Sequence, residues 1–262
     1  MSYLDDLFGI KDKVALVTGG SRGIGLMIAE GFVAAGAKVY ISARKAEVCD
    51  AQAARLSKTG FCVSLPADVS TQQGCEALAA TLRTREARLD ILVNNAGANW
   101  GAPLESFPDS AWDKVLALNV KSVFHLTRAL LPELEKAATK EHPARVINIG
   151  SIDGLRAPEM DTYSYSASKA AVHHLSRVLA QKLAPKHITV NAIAPGPFES
   201  KMMHETLEKF HDYIVASCPL KRIGEPSDMA GIAIYLASRA GAYLTGAVIP
   251  VDGGISTWKG SW

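Results

Sequence analysis

The chain has 262 residues, of which 48% are hydrophobic and 21% charged, a composition typical of globular proteins and not of disordered ones. Its net charge is only +2 and its lysines and arginines are scattered, which argues against a nucleic-acid partner. No run reaches the ~20 apolar residues that span a membrane, and the acidic start does not resemble a signal peptide, so a cytoplasmic protein is expected.

Apolar runs of strand length alternate with helical segments along the whole chain. The predicted strands are Val14–Thr18, Lys38–Ser42, Cys62–Leu65, Asp90–Val93, Arg145–Gly150, Ile188–Ile193 and Ala247–Val251. The predicted helices are Ile24–Ala35, Ala46–Leu56, Gln73–Thr84, Ala111–Leu131, Ser166–Leu183 and Ser227–Leu236. This alternation predicts an α/β protein, with a seven-stranded parallel sheet covered by helices on both faces. Since no linker or repeat interrupts it, one domain over residues 1–262 is expected.

The segment at about 197–225 interrupts this alternation and is longer than an ordinary connection. Apolar residues recur in it at helical spacing: Phe198, Met202, Met203, Leu207, Phe210, Tyr213 and Ile214. This pattern predicts an amphipathic lid over an apolar substrate pocket. Packing of these side chains against the sheet is the alternative for each of them.

A glycine-rich turn, TGGSRGIG, joins the first strand to the first helix. Such a turn lets backbone N–H groups and the positive end of a helix approach a pyrophosphate. The spacing differs from the usual G-x-G-x-x-G, and a tight turn without a ligand is the alternative. The candidate cofactor contacts here are Gly19, Ser21, Arg22, Gly23, Ile24 and Gly25.

The end of the second strand distinguishes the two nicotinamide cofactors. An acidic residue at this position would hold the ribose 2′-hydroxyl of NAD. In this chain the strand ends at Ser42 and is followed by Arg44 and Lys45, with no acidic residue at this position. Arg44, and Arg22 in the glycine-rich turn, can bind a 2′-phosphate. Although exposed surface cations are the alternative, the absence of an acid still favours NADP(H).

Four motifs in register resemble the classical short-chain dehydrogenase/reductase family, β-ketoacyl reductase type: TGGSRGIG, NNAG at 94–97, YSASK at 165–169, and Pro195-Gly196. The resemblance covers about residues 10–255 and implies a Rossmann fold that binds NADP(H). It implies further cofactor contacts at Asp68, Val69, Asn95, Ala96, Gly97, Tyr165, Lys169, Pro195, Gly196, Phe198 and Ser200. The last two depart from the family pattern, because Phe198 replaces an aliphatic residue and Ser200 a threonine.

Tyr165 and Lys169 form a candidate proton-handling pair. They are four residues apart on a predicted helix and therefore share one face. At ~6 Å and an effective dielectric constant of ~20, the cation would favour the phenolate by roughly 3 kcal/mol, about two pKa units. A tyrosine shifted in this way can donate a proton to a carbonyl oxygen. An ordinary tyrosine and lysine on an amphipathic helix is the alternative.

Ser151 follows an apolar strand and is expected at the ligand-binding edge of the sheet, where its hydroxyl can bond the substrate oxygen. The family pattern makes it the catalytic serine. Asn119 lies in a predicted helix, where asparagine is unfavourable and often distorts the backbone. The resemblance implies that Asn119 completes a catalytic tetrad and holds a water that connects Lys169 to solvent, with an ordinary satisfied polar residue as the alternative.

Other chemistries fit the sequence less well. No G-x-S-x-G motif surrounds Ser151, so a hydrolase triad with Asp153 and a histidine is not expected, and His173 and His174 are interpreted as structural. The cysteines lack metal-ligand spacing, so no metal site is expected.

The sequence therefore predicts an NADPH-dependent oxidoreductase that reduces a small-molecule carbonyl, such as a 3-oxoacyl thioester or a similar apolar ketone. A cyclic ketone, a steroid or a keto-sugar stays open as the substrate. An NADP-binding sensor or scaffold is the alternative without turnover. Related reductases form homotetramers, which the resemblance implies here as well.

Overall fold

A computed structural model describes residues 2–200 and 203–257 of the chain. Its strands form one parallel sheet in the order β3-β2-β1-β4-β5-β6-β7, which confirms the predicted fold class. The strands are β1 Val14–Thr18, β2 Lys38–Ser42, β3 Cys62–Ser64, β4 Ile91–Asn94, β5 Ala144–Ile149, β6 Ile188–Pro195 and β7 Val248–Val251.

Helices cover both faces of this sheet. Those before β5 are α1 Tyr3–Phe8, α2 Gly23–Ala34, α3 Ala46–Leu56, α4 Gln72–Arg83, α5 Asp109–Leu116, α6 Ser122–Ala129 and α7 Leu131–Ala137. Those after it are α8 Tyr163–Leu183, α9 His204–Ser217 and α10 Pro226–Ala237. The sequence patterns missed α1, which is short and begins with a capping box between Ser2 and Asp5. No helix in the described ranges combines the length and apolarity that crossing a bilayer demands.

The prediction of one long helix over Ala111–Leu131 is wrong. The chain forms α5, then a π-helical turn at Ala117–Lys121, then α6. It then breaks at Leu130 before α7, which has a proline in its first turn. Pro132 explains that break, because proline lacks an N–H and clashes with the preceding turn of a continuous helix.

Successive residues of each strand point to opposite faces of the sheet and pack into two separate hydrophobic layers. On one face, Val17 and Ile41 pack with α2, α3 and α10. On the other face, Leu16 and Leu92 pack with α4, α6, α7 and α8. Both faces are therefore buried, which is why the strands have continuous apolar sequences.

Helices α2 and α10 pack closely at Gly31, where a Cβ would lie only 2.5 Å from the Cβ of Ala230. We expect Gly31→Ala to lower the free energy of unfolding by about 1–3 kcal/mol, because the added methyl group forces the helices apart. Gly231→Ala is the matched control, since its Cβ would meet nothing within 4 Å and alanine favours a helix by about 0.5–1 kcal/mol. Urea unfolding of both variants measures the difference, and equal effects would contradict this packing.

Candidate active site

The carboxyl ends of the parallel strands meet at one edge of the sheet and bring the predicted site residues together. The glycine turn follows β1, Ser42 ends β2, and Asn95 follows β4. Ser151 follows β5, and Pro195 ends β6. Ligands of open α/β sheets bind at this edge, beside the point where the strand order reverses. Here that point lies between β1 and β4.

Thr18 joins the two halves of the sheet at this point, and the sequence patterns did not single it out. Its hydroxyl donates to the Val93 carbonyl at 3.3 Å and accepts from the N–H groups of Asn95 and Ala96 at 3.0 and 3.1 Å. The Asn95 amide in turn donates to the Thr18 carbonyl at 2.8 Å. The sequence did contain one indication of this role, because Thr18 is a hydroxyl residue at the end of an otherwise apolar strand.

The glycine turn has the conformation that a phosphate-binding turn requires. Gly19 and Gly23 have φ of +65° and +53°, the left-handed region that favours glycine. A Cβ on Gly25 would lie 2.4 Å from the Gly19 carbonyl oxygen, so the start of α2 packs directly on the turn. Arg22, the N-cap residue, makes no capping bond, which leaves the first N–H groups of α2 without a side-chain acceptor. Ser21 beside it is buried and Ile24 is partly buried.

Arg44 and Lys45 follow the end of β2, and both are exposed. The Ser42 hydroxyl is buried and has no hydrogen-bond partner among the described residues. The Ser70 N–H, 3.0 Å from Asp68, and the nearby Arg44 guanidinium lower the pKa of the Asp68 carboxyl. Val69, next to Asp68, is buried.

Tyr165 and Lys169 share one face of α8, as predicted, but the predicted lowering of the tyrosine pKa is wrong for this form of the protein. Burial raises the pKa of Tyr165 to about 12, and the Ser151 hydroxyl offsets only part of this rise. The Lys169 ammonium lies 5.5 Å from the centre of the Tyr165 ring and donates to the Ile149 carbonyl at 2.8 Å. Burial also lowers the pKa of Lys169 to about 8. Loss of hydration is therefore the largest cause of both shifts, and the Asp153 carboxylate raises the pKa of both groups.

Ser151 lies just beyond β5, where it starts a short 3₁₀ turn at Ile152–Gly154. Its hydroxyl accepts from the Asp153 N–H at 3.1 Å, which leaves the hydroxyl hydrogen to be donated elsewhere. Its own N–H points at the buried ring of His173, whose Nε2 atom lies 3.5 Å away. The serine is therefore fixed at both its backbone and its side chain.

Asn119 lies in the π-helical turn between α5 and α6, the kind of distortion that its position in a helix suggested. Its amide donates to the Ala98 carbonyl at 3.0 Å and to the Ser168 hydroxyl at 2.8 Å, and it accepts from the Ala98 N–H at 2.8 Å. A Cβ on Gly97 would lie 3.3 Å from Asn119 Oδ1 and 3.8 Å from Lys169 Nζ. Asn119 thus connects the loop after β4 to the helix that carries Tyr165 and Lys169.

The segment after β6 lies against the glycine turn. Gly196 donates to the Val251 carbonyl at 2.9 Å. Phe198 is buried in the core, where its ring covers Gly224, so its side chain is part of the hydrophobic packing. Ser200 contacts Gly23, whose Cβ would lie 3.2 Å from the serine Cβ. Met202, expected in the lid, lies outside the described residues.

Comparisons with known proteins agree with these motifs. Residues 19–256 match the family model described as enoyl-(acyl carrier protein) reductase. The chain is 53% identical to the rhamnolipids biosynthesis 3-oxoacyl-(acyl-carrier-protein) reductase of Pseudomonas aeruginosa, over 94% of this chain and 97% of that one.

Solved structures give the same result. The Pseudomonas aeruginosa RhlG/NADP active-site complex aligns with a TM-score of 0.94 at 52% identity, over 96% of this chain and 99% of that one. A gluconate 5-dehydrogenase from Burkholderia cenocepacia, solved with NADP and tartrate, aligns at 0.91 and 31% identity, over 98% and 100%. The chain therefore belongs to the short-chain dehydrogenase/reductase family.

Proposed function

We propose that this chain is an NADPH-dependent reductase that converts a carbonyl group to an alcohol. The observation that carries the proposal is that the Ser151 hydroxyl and the Lys169 ammonium both lie beside Tyr165, at the edge of the sheet that holds the glycine turn. Its similarity to a 3-oxoacyl-(acyl-carrier-protein) reductase and to a structure solved with NADP supports the same activity. A sensor or scaffold would have no use for this set of proton-handling groups.

The residues present fit NADP(H). Two left-handed glycines and the uncapped start of α2 suit a pyrophosphate. Arg44 and Arg22 are exposed cations that would hold the 2′-phosphate, and the buried Ser42 hydroxyl beside them lacks a partner among the described residues. The bound cofactor would supply the hydride to the carbonyl carbon.

The protein's own side chains would protonate and hydrogen-bond the carbonyl oxygen. The Tyr165 hydroxyl, with its pKa raised by burial to about 12, is protonated at neutral pH, as an ordinary tyrosine is, and would donate its proton to the oxygen. The free hydrogen of the Ser151 hydroxyl would bond the same oxygen as negative charge develops. Lys169, with a pKa of about 8, keeps most of its charge at neutral pH and stabilises the tyrosinate that is left. Asn119 would hold the water that returns a proton through Lys169.

We propose a 3-oxoacyl thioester as the substrate, with residues 197–225 as a lid over its acyl chain. The lid helix α9 carries the exposed rings of Phe210 and Tyr213, and the Tyr213 hydroxyl bonds Glu159 in the loop after Ser151 at 3.2 Å. Met160 beside it is also exposed, so apolar groups lie on both the lid and this loop. A keto-sugar is the second candidate, since the gluconate 5-dehydrogenase has the same fold.

A panel of carbonyl substrates distinguishes these candidates. We expect NADPH oxidation with 3-oxoacyl thioesters, at a kcat/KM that rises with acyl chain length because more apolar surface is buried. Replacing NADPH with NADH should lower kcat/KM in every case. Faster turnover of 5-ketogluconate than of any thioester would favour the keto-sugar, and NADPH binding without turnover of any carbonyl would favour the sensor.

We also propose a cytoplasmic homotetramer. All four cysteines are unpaired and buried, as is usual for proteins of a reducing compartment. Phe124 on α6 and Val178 on α8 are exposed apolar residues on helices that would pair with another subunit. Sedimentation at micromolar concentration tests the assembly, and a monomer would contradict it.

A further inference from the structure

A buried histidine lies directly behind the loop that carries Ser151. His173 follows Tyr165 and Lys169 at successive four-residue steps on α8, so all three side chains lie on one helix face. Its ring is only 3% exposed. Among the described residues, its Nε2 atom is the acceptor for the Ser151 N–H, through a long hydrogen bond of 3.5 Å.

The loop is built around this ring. A Cβ on Gly150 would lie 2.1 Å from His173 Nε2, and a Cβ on Gly154 would lie 2.8 Å from His173 Cε1. Neither glycine has a left-handed φ, so close packing explains the absence of side chains there. At Gly150 the neighbour is the imidazole, and at Gly154 it is the α8 backbone at Lys169 and Ala170 together with the imidazole. Gly150 is further held by the Ile193 carbonyl, which accepts from its N–H at 2.7 Å. The ring thus fills the space between the two ends of the serine loop.

The His173 imidazole is neutral, as a hydrogen-bond acceptor must be. Burial and the nearby Lys169 cation lower the pKa of His173 to about 4, so the imidazole is neutral at physiological pH. A neutral ring has one acceptor nitrogen and one N–H. Because Nε2 faces the Ser151 N–H, we place the proton on Nδ1, a buried atom with no hydrogen-bond partner among the described residues.

We propose, on the basis of the reductase function above, that His173 is a positioning residue that holds Ser151 in place by accepting its backbone N–H. The serine hydroxyl accepts from the Asp153 N–H, so the two bonds together fix the serine on both sides. Without the imidazole acceptor, a buried N–H is left unpaired and the loop rearranges to satisfy it. Ser151 then loses its place at the substrate oxygen, and turnover falls while cofactor binding does not.

Two substitutions separate this role from simple packing. His173→Leu fills the space without an acceptor, and we expect it to lower kcat about tenfold or more with less than a twofold change in the NADPH Kd. His173→Gln, whose Oε1 can take the place of Nε2, should restore kcat to within about threefold of the parent. The exposed neighbour provides the control, since His174→Leu should change neither constant. All rates are normalised to the NADPH-binding sites present.

Parental kcat in His173→Leu would overturn the proposal, as would a His173→Gln variant no better than His173→Leu. If the leucine variant does not fold, nitrogen-15 NMR of the unaltered protein, labelled at histidine, measures which ring nitrogen of His173 is protonated. The His173 signals are assigned by their absence in His173→Gln. We expect Nε2 to be unprotonated at neutral pH, and a protonated Nε2 would rule the proposal out. Because this readout needs no turnover, its result is independent of whether any carbonyl in the panel is reduced.

Discussion

Replacing Tyr165 with phenylalanine is expected to lower kcat for carbonyl reduction about a thousandfold, within the range that a positioned acid contributes. The phenol is the proton donor in the proposed mechanism, and phenylalanine has no proton to give in its place. The measurement is single-turnover NADPH oxidation with a saturating ketone.

The NADPH Kd of Tyr165→Phe should stay within a few-fold of the parent value, since the pyrophosphate and 2′-phosphate contacts are remote from the lost hydroxyl. Tyr235→Phe is the matched control, because it removes a phenol from α10, outside the site, and should leave kcat unchanged. Parental turnover in Tyr165→Phe would show that another group protonates the carbonyl oxygen and would refute the mechanism.

Arg44→Ala is expected to raise the KM for NADPH about 10- to 100-fold and to leave the KM for NADH nearly unchanged. Hydrogen bonds to a charged group contribute about 1.5–3 kcal/mol, and each 1.4 kcal/mol is tenfold in affinity. Arg44 is exposed at the end of β2, where the 2′-phosphate distinguishes the two cofactors. Initial rates at a fixed ketone concentration give both constants.

Lys58→Ala removes another exposed cation from the same half of the protein and controls for the change in net charge. We expect it to leave the ratio of the two KM values at that of the parent. If Arg44→Ala raised the KM values of NADPH and NADH equally, the guanidinium would have no contact with the 2′-phosphate, and Arg22 would become the candidate.

The positions of the main site residues were predictable because each motif follows a strand of recognisable apolar sequence. Once Val14–Thr18 and Arg145–Gly150 are strands of a parallel sheet, the glycine turn and Ser151 must lie at the same edge. The four-residue spacing of Tyr165 and Lys169 likewise places them on one helix face. Their predicted roles combine the chemistry of these residue types with the family resemblance, and the variants described above test them.

Features that depend on the packed environment were not predictable. The charge attraction between Tyr165 and Lys169 follows from their spacing, but the loss of hydration that reverses the pKa shift follows only from burial. Phe198 was placed in the lid by its apolar character, and only the structure shows its ring covering Gly224 in the core. His173 was interpreted as structural, and nothing local in the sequence indicates that its ring faces the Ser151 N–H.

The π-helical turn around Asn119 has a consequence for how this region tolerates insertions and deletions. The Ser122 N–H reaches back to the Ala117 carbonyl, five residues away instead of four, so the stretch accommodates an extra residue relative to a regular helix. Deleting one residue there would restore regular helical bonding and leave α5 and α6 in nearly their present orientation, because the wide turn is what absorbs the extra residue. The wide turn that presents Asn119 to Ala98 and Ser168 would then be lost. A deletion that improves the helix is therefore expected to disassemble the site, whereas many substitutions in the same stretch leave the register intact.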